Sequence, residues 1–146
     1  MPRAHRTLSS LSVEDMMAPN PVTVGSTSTV QDAADLMIAA DVRHIPVVMH
    51  GTLVGMISDR DLRSYMLPNP EKVLHADEAR TRMAASVSVV MRKDVITVHP
   101  DTPIAALIDI LLKEKIGAAP VLAPDTGELI GMVSYIDVLR AMRPFV

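Results

Sequence analysis

The sequence has no cysteine and no tryptophan among its 146 residues, and aromatic residues make up only 2% of it. The absence of thiols excludes disulfides, thiol nucleophiles and cysteine-ligated zinc. Because large rings are so scarce, the core has to be built from Val, Ile, Leu, Ala and the 11 methionines. Side chains of this medium size suit thin layers of short strands and helices.

The sequence also has no large excess of either charge, since the formal net charge is −3, and no block of Lys or Arg runs along the chain. Nucleic-acid affinity depends on clustered cations, so general binding to phosphate backbones is disfavoured. The first 12 residues lack the apolar core of a signal peptide, and no apolar run approaches the length that spans a bilayer. With 49% hydrophobic residues, the chain is expected to be a folded cytoplasmic protein.

What the sequence does contain is an internal repeat. Thr23 and Thr97 lie in similar short segments 74 residues apart (97 − 23), and the same offset relates Pro46 to Pro120. Between these points each copy has an i, i+3, i+4, i+7, i+8 apolar stripe, which predicts a one-sided helix. The two stripes are Val30, Ala33, Ala34, Met37 and Ile38, and Ile104, Leu107, Ile108, Leu111 and Leu112. The offset grows by two residues at a longer second turn, after which Asp61 matches Asp137.

Each copy is predicted to fold in the order strand, helix, strand, strand, helix. Thr29 and Asp32 have the spacing of a capping box, and Thr102 with Pro103 at the first helical position is expected to start the equivalent helix. The polar segment 67–85 is predicted to be a linker with one exposed helical turn. The predicted segments are Val22–Val24, Val30–Asp41, Ile45–Met49, Leu53–Ile57 and Asp59–Met66 in the first copy, and Ala119–Leu122, Leu129–Val133 and Tyr135–Met142 in the second.

The duplicated β-α-β-β-α order, the proline in the second strand and the closing Gly-apolar-apolar-Ser-x-x-Asp run resemble the cystathionine-β-synthase (CBS) domain pair. The resemblance covers residues 13–142 and implies an α/β (α+β) fold, with two repeats packed sheet to sheet around a pseudo-twofold axis. It places a first repeat at 13–67, a linker at 68–85 and a second repeat at 86–143, together forming one module. It further implies a stand-alone, energy-sensing regulator that is not an enzyme and that forms a homodimer and signals to an unidentified effector protein.

Many CBS pairs bind AMP, ATP or related adenosyl ligands in two clefts, so the resemblance implies an adenine-nucleotide ligand, with Mg²⁺ as a companion of ATP. The closing Asp would accept hydrogen bonds from the ribose diol, as an acceptor-only carboxylate can. The preceding Ser would lie near the phosphates, where a helix N-terminus favours anions. The first cleft is expected to use Ser58, Asp61, His44 and Arg60, with adenine near Val95, Ile96, Ile116 and Gly117. The second is expected to use Ser134 and Asp137, with adenine near Pro21, Val22, Val42 and Arg43.

The two expected clefts differ in charge, since His44 is matched by Ala118 and Arg60 by Ile136. The first cleft is therefore favoured for phosphate-rich ligands, and the second is expected to be weaker, empty or selective for an uncharged adenosyl group. Ser-x-x-Asp is equally an ordinary capping box, so an interaction protein with degenerate clefts stays an alternative.

Three further functions are disfavoured. Scarce aromatics argue against nucleic-acid binding through the scattered arginines, as stacking platforms would be lacking. No catalytic residues are predicted, because the sequence offers no convincing nucleophile or acid–base pair. No metal site is predicted, because the five histidines show no ligand spacing.

Overall fold

A computed structural model describes residues 6–67, 69, 71 and 73–146. These residues form five α-helices and six short strands. They also form 3₁₀ turns at Leu8–Ser10, Val13–Asp15, Val87–Val89 and Arg143–Phe145. In chain order the elements are β1 (Ala18–Pro19), β2 (Val24–Gly25), α1 (Val30–Ala40), β3 (His44–Met49), β4 (Thr52–Ser58), α2 (Asp59–Met66), α3 (Ala76–Ala84), α4 (Ile104–Glu114), β5 (Ala118–Leu122), β6 (Leu129–Ser134) and α5 (Tyr135–Met142).

These elements form two compact units, each with its own three-stranded sheet. The Asp61 unit comprises residues 22–95 and has the strand order β2-β3-β4. The Asp137 unit comprises the described residues 6–21 and 96–146 and has the order β1-β6-β5. The units therefore cut across the predicted repeat boundaries, because the opening segment of each predicted repeat, 13–21 or 86–95, packs with the rest of the other repeat.

Each sheet is built around an antiparallel hairpin, as the sequence predicts. In the β3–β4 hairpin the turn residues His50 and Gly51 have φ values of 51° and 77°. Two successive positive φ values match the twist of the flanking strands, which explains so tight a connection. The β5–β6 turn is longer and has its positive φ at Gly127, consistent with the two-residue change of offset in the sequence.

The start of α1 confirms one predicted cap, whereas the start of α4 does not. Thr29 Oγ1 accepts from the Asp32 amide at 3.1 Å, and Asp32 Oδ2 accepts from the Thr29 amide at 2.9 Å. The prediction that Thr102 caps α4 is wrong, because Pro103 is the N-cap residue and the helix begins at Ile104. Thr102 Oγ1 is instead used in the preceding turn, where it accepts from the His99 amide at 3.1 Å.

The predicted linker contains more structure than one exposed turn, because α3 is nine residues long. No residue of α3 is buried, and its sequence accordingly has no apolar stripe from which the helix could be predicted. Arg82 fastens it to α2 by donating to the Tyr65 carbonyl oxygen, and its guanidinium lies 5.5 Å from the centroid of the Tyr65 ring. A cation over an aromatic face is attracted to the ring quadrupole.

The helical stripes predicted from the repeat are only partly buried. The i, i+3 and i+7 positions lie in the cores, but the last position of each stripe, Ile38 and Leu112, is 82% and 72% exposed. The core of the Asp61 unit consists of Val24, Val30, Ala33, Met37, Ile45, Val47, Ile57, Leu62 and Val87. The core of the Asp137 unit consists of Leu11, Val13, Val98, Ile104, Leu107, Leu111, Ala119, Val121, Val133 and Val138.

Among the described residues, no helix is both long enough and apolar enough to cross a membrane.

Candidate ligand-binding site

Asp61 is the third residue of α2 and closes a capping box with the N-cap residue Ser58. Ser58 Oγ accepts from the Asp61 amide at 3.1 Å, and Asp61 Oδ2 accepts from the Ser58 amide at 3.0 Å. The cap satisfies two donors that the start of a helix otherwise leaves without partners. It therefore confirms the structural role that the Ser-x-x-Asp spacing predicts, and it fixes the carboxylate at the positive end of α2.

The start of β3 brings His44 and Arg43 beside this helix end. His44 is the antiparallel partner of Ser58, and the Arg43 carbonyl oxygen accepts from the Asp59 amide at 2.9 Å. The pKa of His44 is lowered from its ordinary value of 6.5, chiefly because burial disfavours the charged ring. The carboxylates of Asp59 and Asp61 oppose this lowering without cancelling it. The burial thus keeps the His44 ring neutral to a lower pH than in an exposed histidine, and its contact with a phosphate stays a prediction.

The cation that contacts Asp61 is Arg92, which is not among the site residues predicted from the sequence. Asp61 Oδ1 accepts from Arg92 Nε at 3.3 Å, with the Asp61 side chain 15% exposed and that of Arg92 62% exposed. Arg92 belongs to the opening segment of the second repeat, and its backbone pairs with Met56. The repeat alignment contains a signal for Arg92. The offset of 74 residues (92 − 18) matches it with Ala18, so one copy has an arginine where the other has an uncharged residue.

The Asp137 unit repeats the cap but not its surroundings. Ser134 and Asp137 bond to each other's amides, with the Asp137 carboxylate accepting at 2.9 Å and the Ser134 hydroxyl at 3.3 Å. Ala118 lies opposite Ser134, and the Gly117 carbonyl oxygen accepts from the Tyr135 amide at 3.0 Å. Asp137 forms an ion pair with Arg140 of the same helix, whose Nη1 is 3.8 Å from Asp137 Oδ1.

The two helix starts therefore differ strongly in charge. Besides Arg63, which pairs with Asp59, three further arginines of the Asp61 unit accompany the aspartates Asp59 and Asp61. In the Asp137 unit the positions equivalent to the arginines are uncharged, and Tyr135 replaces the first aspartate. The pairs are Arg43 and Gly117, Arg60 and Ile136, and Arg92 and Ala18.

Within each unit the structure brings some of the predicted site residues together. His44, Ser58, Asp61 and the Arg43 backbone are neighbours in the Asp61 unit, and Gly117, Ser134 and Asp137 are neighbours in the Asp137 unit. The predicted adenine contacts combine residues of both units and stay predictions. They are Val95, Ile96, Ile116 and Gly117 for the first cleft, and Pro21, Val22, Val42 and Arg43 for the second.

Arg60, the remaining candidate, is exposed on the first turn of α2. Among the described residues, no three His, Asp or Glu side chains cluster as ligands of a metal ion would.

A family model, the CBS domain, matches the chain twice, at residues 13–68 and 85–144. The chain belongs to the CBS domain family. The first match covers β2 to α2 and the second covers α4 to α5, so the family and the α/β fold class predicted from the repeat are confirmed. The predicted first strand of the second copy is reduced to a single bridge between Val98 and Val121.

Curated relatives of this CBS chain include both enzymes and short proteins. It is 29% identical to a homoserine O-acetyltransferase of Methanocorpusculum labreanum over 128 residues, covering 87% of this chain but only 23% of the enzyme. It is 29% identical to the CBS domain-containing protein YhcV of Bacillus subtilis, covering 86% of this chain and 81% of that protein. The chain thus spans about a quarter of the enzyme's length.

Solved structures similar to this CBS chain include two with adenosyl ligands. The CBS domain pair of protein MJ0100, in complex with 5′-methylthioadenosine and S-adenosyl-L-methionine, has a TM-score of 0.75 and 26% identity and covers 93% of this chain and 98% of that one. CBSX2, in complex with AMP, has a TM-score of 0.75 and 28% identity and covers 92% of this chain and 97% of that one.

Proposed function

We propose that the chain is a regulatory module that binds an adenine nucleotide or a related adenosyl ligand and transmits the ligand state to a partner by a conformational change. The observation that carries the proposal is the Asp61 carboxylate, which the capping box fixes at the start of α2 beside Arg92 and the start of β3. The two similar structures with bound adenosyl compounds support the ligand class.

The chemistry of this helix start suits a nucleotide. A carboxylate accepts hydrogen bonds from both hydroxyls of a ribose diol, and Asp61 keeps lone pairs on both oxygens besides those used by Ser58 and Arg92. The Asp59 and Asp61 amides already donate to the Arg43 carbonyl oxygen and to Ser58 Oγ, so the start of α2 favours a phosphate mainly through its positive dipole end. Because burial lowers the pKa of His44, the arginines supply most of the fixed positive charge.

The Asp137 site has the same carboxylate and cap but fewer cations. We propose that it binds adenosyl groups more weakly or prefers ligands without phosphate. The proposal of two unequal sites rests on the charge difference alone, and the number of ligands bound per chain is part of the test.

The regulatory part of the proposal includes three further predictions. Self-association through the helices would cover Ile38 and Leu112, which lie at equivalent positions and are 82% and 72% exposed. An effector protein would respond to the change in the module, and the chain itself would have no catalytic activity. The cytoplasmic location and the participation of Mg²⁺ with ATP also stay predictions.

Thermal unfolding of the pure protein with AMP, ADP, ATP, S-adenosylmethionine and NADH tests the proposal. A ligand at about a hundred times its dissociation constant stabilises the folded state by about 2.7 kcal/mol, a shift of several degrees for a domain of this size. Asp61→Ala should abolish the shift for a nucleotide, whereas Asp137→Ala should retain it. The second variant is a matched control, because each substitution removes one capping box from an eight-residue helix.

A second candidate function is that of an interaction protein whose Asp61 and Asp137 serve only as caps. The observation that favours it is that the cap and the ion pair already give Asp61 partners on both oxygens. No shift with any of the ligands, together with stable self-association in light scattering, would establish this candidate over the first.

A further inference from the structure

The ion pair between Arg92 and Asp61 distinguishes one helix start from the other. The equivalent position in the Asp137 unit is Ala18, which pairs with Met132 as Arg92 pairs with Met56. The backbone geometry of the two segments is thus shared, and the guanidinium is what differs. Of the side chains that differ between the two sites, Arg92 is the one whose guanidinium contacts the Asp61 carboxylate, so it bears directly on what the Asp61 site binds.

The backbone of Arg92 is firmly held. The Arg92 amide donates to the Met56 carbonyl oxygen at 2.8 Å, and the Met56 amide donates to the Arg92 carbonyl oxygen at 3.0 Å. The preceding residue, Met91, packs its side chain onto Gly55, in the space that a β-carbon at position 55 would need. The guanidinium therefore extends from a fixed point at the edge of β4 toward α2.

The guanidinium itself is free to change partners. The side chain is 62% exposed, and within the described part of the chain its only ion pair is with Asp61 through Nε. Because the Arg92 end of the pair is exposed and the distance is 3.3 Å, the pair contributes little to stability and exchanges readily for a stronger one. A phosphate is such a partner, because the planar fork of an arginine matches two of its oxygens.

The ribose brings a 5′ substituent close to this arginine. If the diol of a nucleoside is bound to Asp61, its 5′ group lies within one sugar's width of the carboxylate. Arg92 touches the carboxylate and is long enough to reach across that width. A 5′-phosphate would then meet a permanent charge, whereas an uncharged or cationic 5′ group would gain nothing from it or be repelled.

We propose that Arg92 determines the specificity of the Asp61 site, favouring adenosyl ligands that carry a 5′-phosphate over those with an uncharged or cationic 5′ group. This inference rests on the proposed function of the site. It goes further by assigning the discrimination to one residue outside the cap and outside β3.

Isothermal titration with AMP and adenosine tests this assignment in an Asp137→Ala background, in which the Asp61 site is measured alone. Arg92→Gln should lower the ratio of AMP to adenosine affinity about tenfold, the size expected for one partly screened charge pair. The affinity for adenosine should change by less than about twofold, since the diol contact remains. Arg92→Lys should keep most of the ratio, and added salt should reduce the ratio in the parent protein more than in Arg92→Gln.

The outcomes separate this inference from the proposed function. Equal AMP-to-adenosine ratios in the parent and in Arg92→Gln, with both ligands still bound, would overturn the role of Arg92 and leave adenosyl binding intact. A parent protein that binds neither ligand would overturn both. A loss of AMP and adenosine affinity by the same factor would show that Arg92 acts only by orienting Asp61, which also contradicts the proposal.

Discussion

At two equivalent core positions, the Asp61 unit and the Asp137 unit have the large and the small side chain in opposite places. In the Asp61 unit the strand supplies the large Ile45 and helix α1 the small Ala33, and both are fully buried. In the Asp137 unit the strand supplies Ala119 and helix α4 supplies Leu107. Interiors packed to crystal-like density tolerate such an exchange only when the total volume is kept. The two repeats therefore share one backbone arrangement although their core residues differ.

The same backbone arrangement carries different charges where the helices begin. The caps formed by Ser58 with Asp61 and by Ser134 with Asp137 are alike, but Arg92 accompanies only the first. Packing constrains the sum of volumes in each core, whereas nothing in the packing constrains an exposed side chain such as that of Arg92. The difference in charge can therefore affect which ligand is bound without disturbing the core, whereas the difference in core residues is constrained by packing.

The largest expected effect comes from Ile45→Ala in the core of the Asp61 unit. Removing a fully buried isoleucine should lower the free energy of unfolding by about 2–5 kcal/mol, through lost burial and the cavity that remains. The double variant Ile45→Ala/Ala33→Leu should recover a large part of this loss, because it imitates the arrangement of Ala119 and Leu107. Urea unfolding measures both. Additive losses in the double variant would show that the two sites do not share one space.

A smaller loss is expected when the close approach at Gly55 is disturbed. A β-carbon there would meet the Met91 side chain and lie 3.0 Å from the Arg92 carbonyl oxygen. The equivalent β-carbon at Gly131 would lie 3.1 Å from the Ala18 carbonyl oxygen. Gly55→Ala should lower the free energy of unfolding by about 1–3 kcal/mol, and Gly131→Ala by a similar or smaller amount.

Gly25→Ala is the control for this pair, because its β-carbon would meet only Ser28 Oγ at 3.7 Å. Urea unfolding of the three variants gives the comparison. An unchanged stability in Gly55→Ala would mean that the segment of Met91 and Arg92 moves away without cost, which would contradict the fixed anchoring of Arg92.

The two capping serines should give equal and still smaller effects. Ser58→Ala and Ser134→Ala each remove a hydroxyl that accepts from a helix amide, which typically costs about 1 kcal/mol. Ser64→Ala, in the exposed interior of α2, is the control and should be neutral or slightly stabilising, because alanine is the better helix former. Chemical denaturation measures all three. A cost confined to one cap would show that the units differ in more than their charges.

Much of the fold was predictable because the repeat fixes several local signals at once. Both Asp-capped helices, α2 and α5, begin and end at the predicted residues, since cap spacing and apolar period agree there. Helix α1 ends one residue early because Asp41 adopts the left-handed conformation, with φ 53°. Helix α3 was missed because it buries no side chain and so leaves no periodic pattern.

The candidate site was less predictable than the fold. The carboxylate and its cap follow from local spacing, so Asp61 and Ser58 could be found in the sequence. Arg92 lies 31 residues from Asp61, and only the pairing of its segment with β4 brings it there. The lowered pKa of His44 depends on burial, which no sequence spacing encodes.

The smallest expected effect is a dependence of stability on pH that belongs to His44 and that Ala118 cannot provide in the other unit. The pKa of His44 is lowered by burial, with Arg43 and Arg92 adding to the lowering and Asp59 and Asp61 opposing it. Because the unfolded chain then binds a proton more readily than the folded one, stability should fall as the pH drops below about 6.5 and be unaffected above it.

His44→Gln, which does not titrate, should remove this part of the pH dependence. Urea unfolding of the parent and the variant at pH 7.5, 6.5 and 5.5 isolates it, because the other histidines contribute equally to both proteins. The parent should lose more stability than His44→Gln between pH 6.5 and 5.5, and the two should change in parallel between pH 7.5 and 6.5. A smaller loss in the parent would mean that Asp59 and Asp61 outweigh burial, so that His44 is a cation at neutral pH and joins Arg92 in attracting a phosphate.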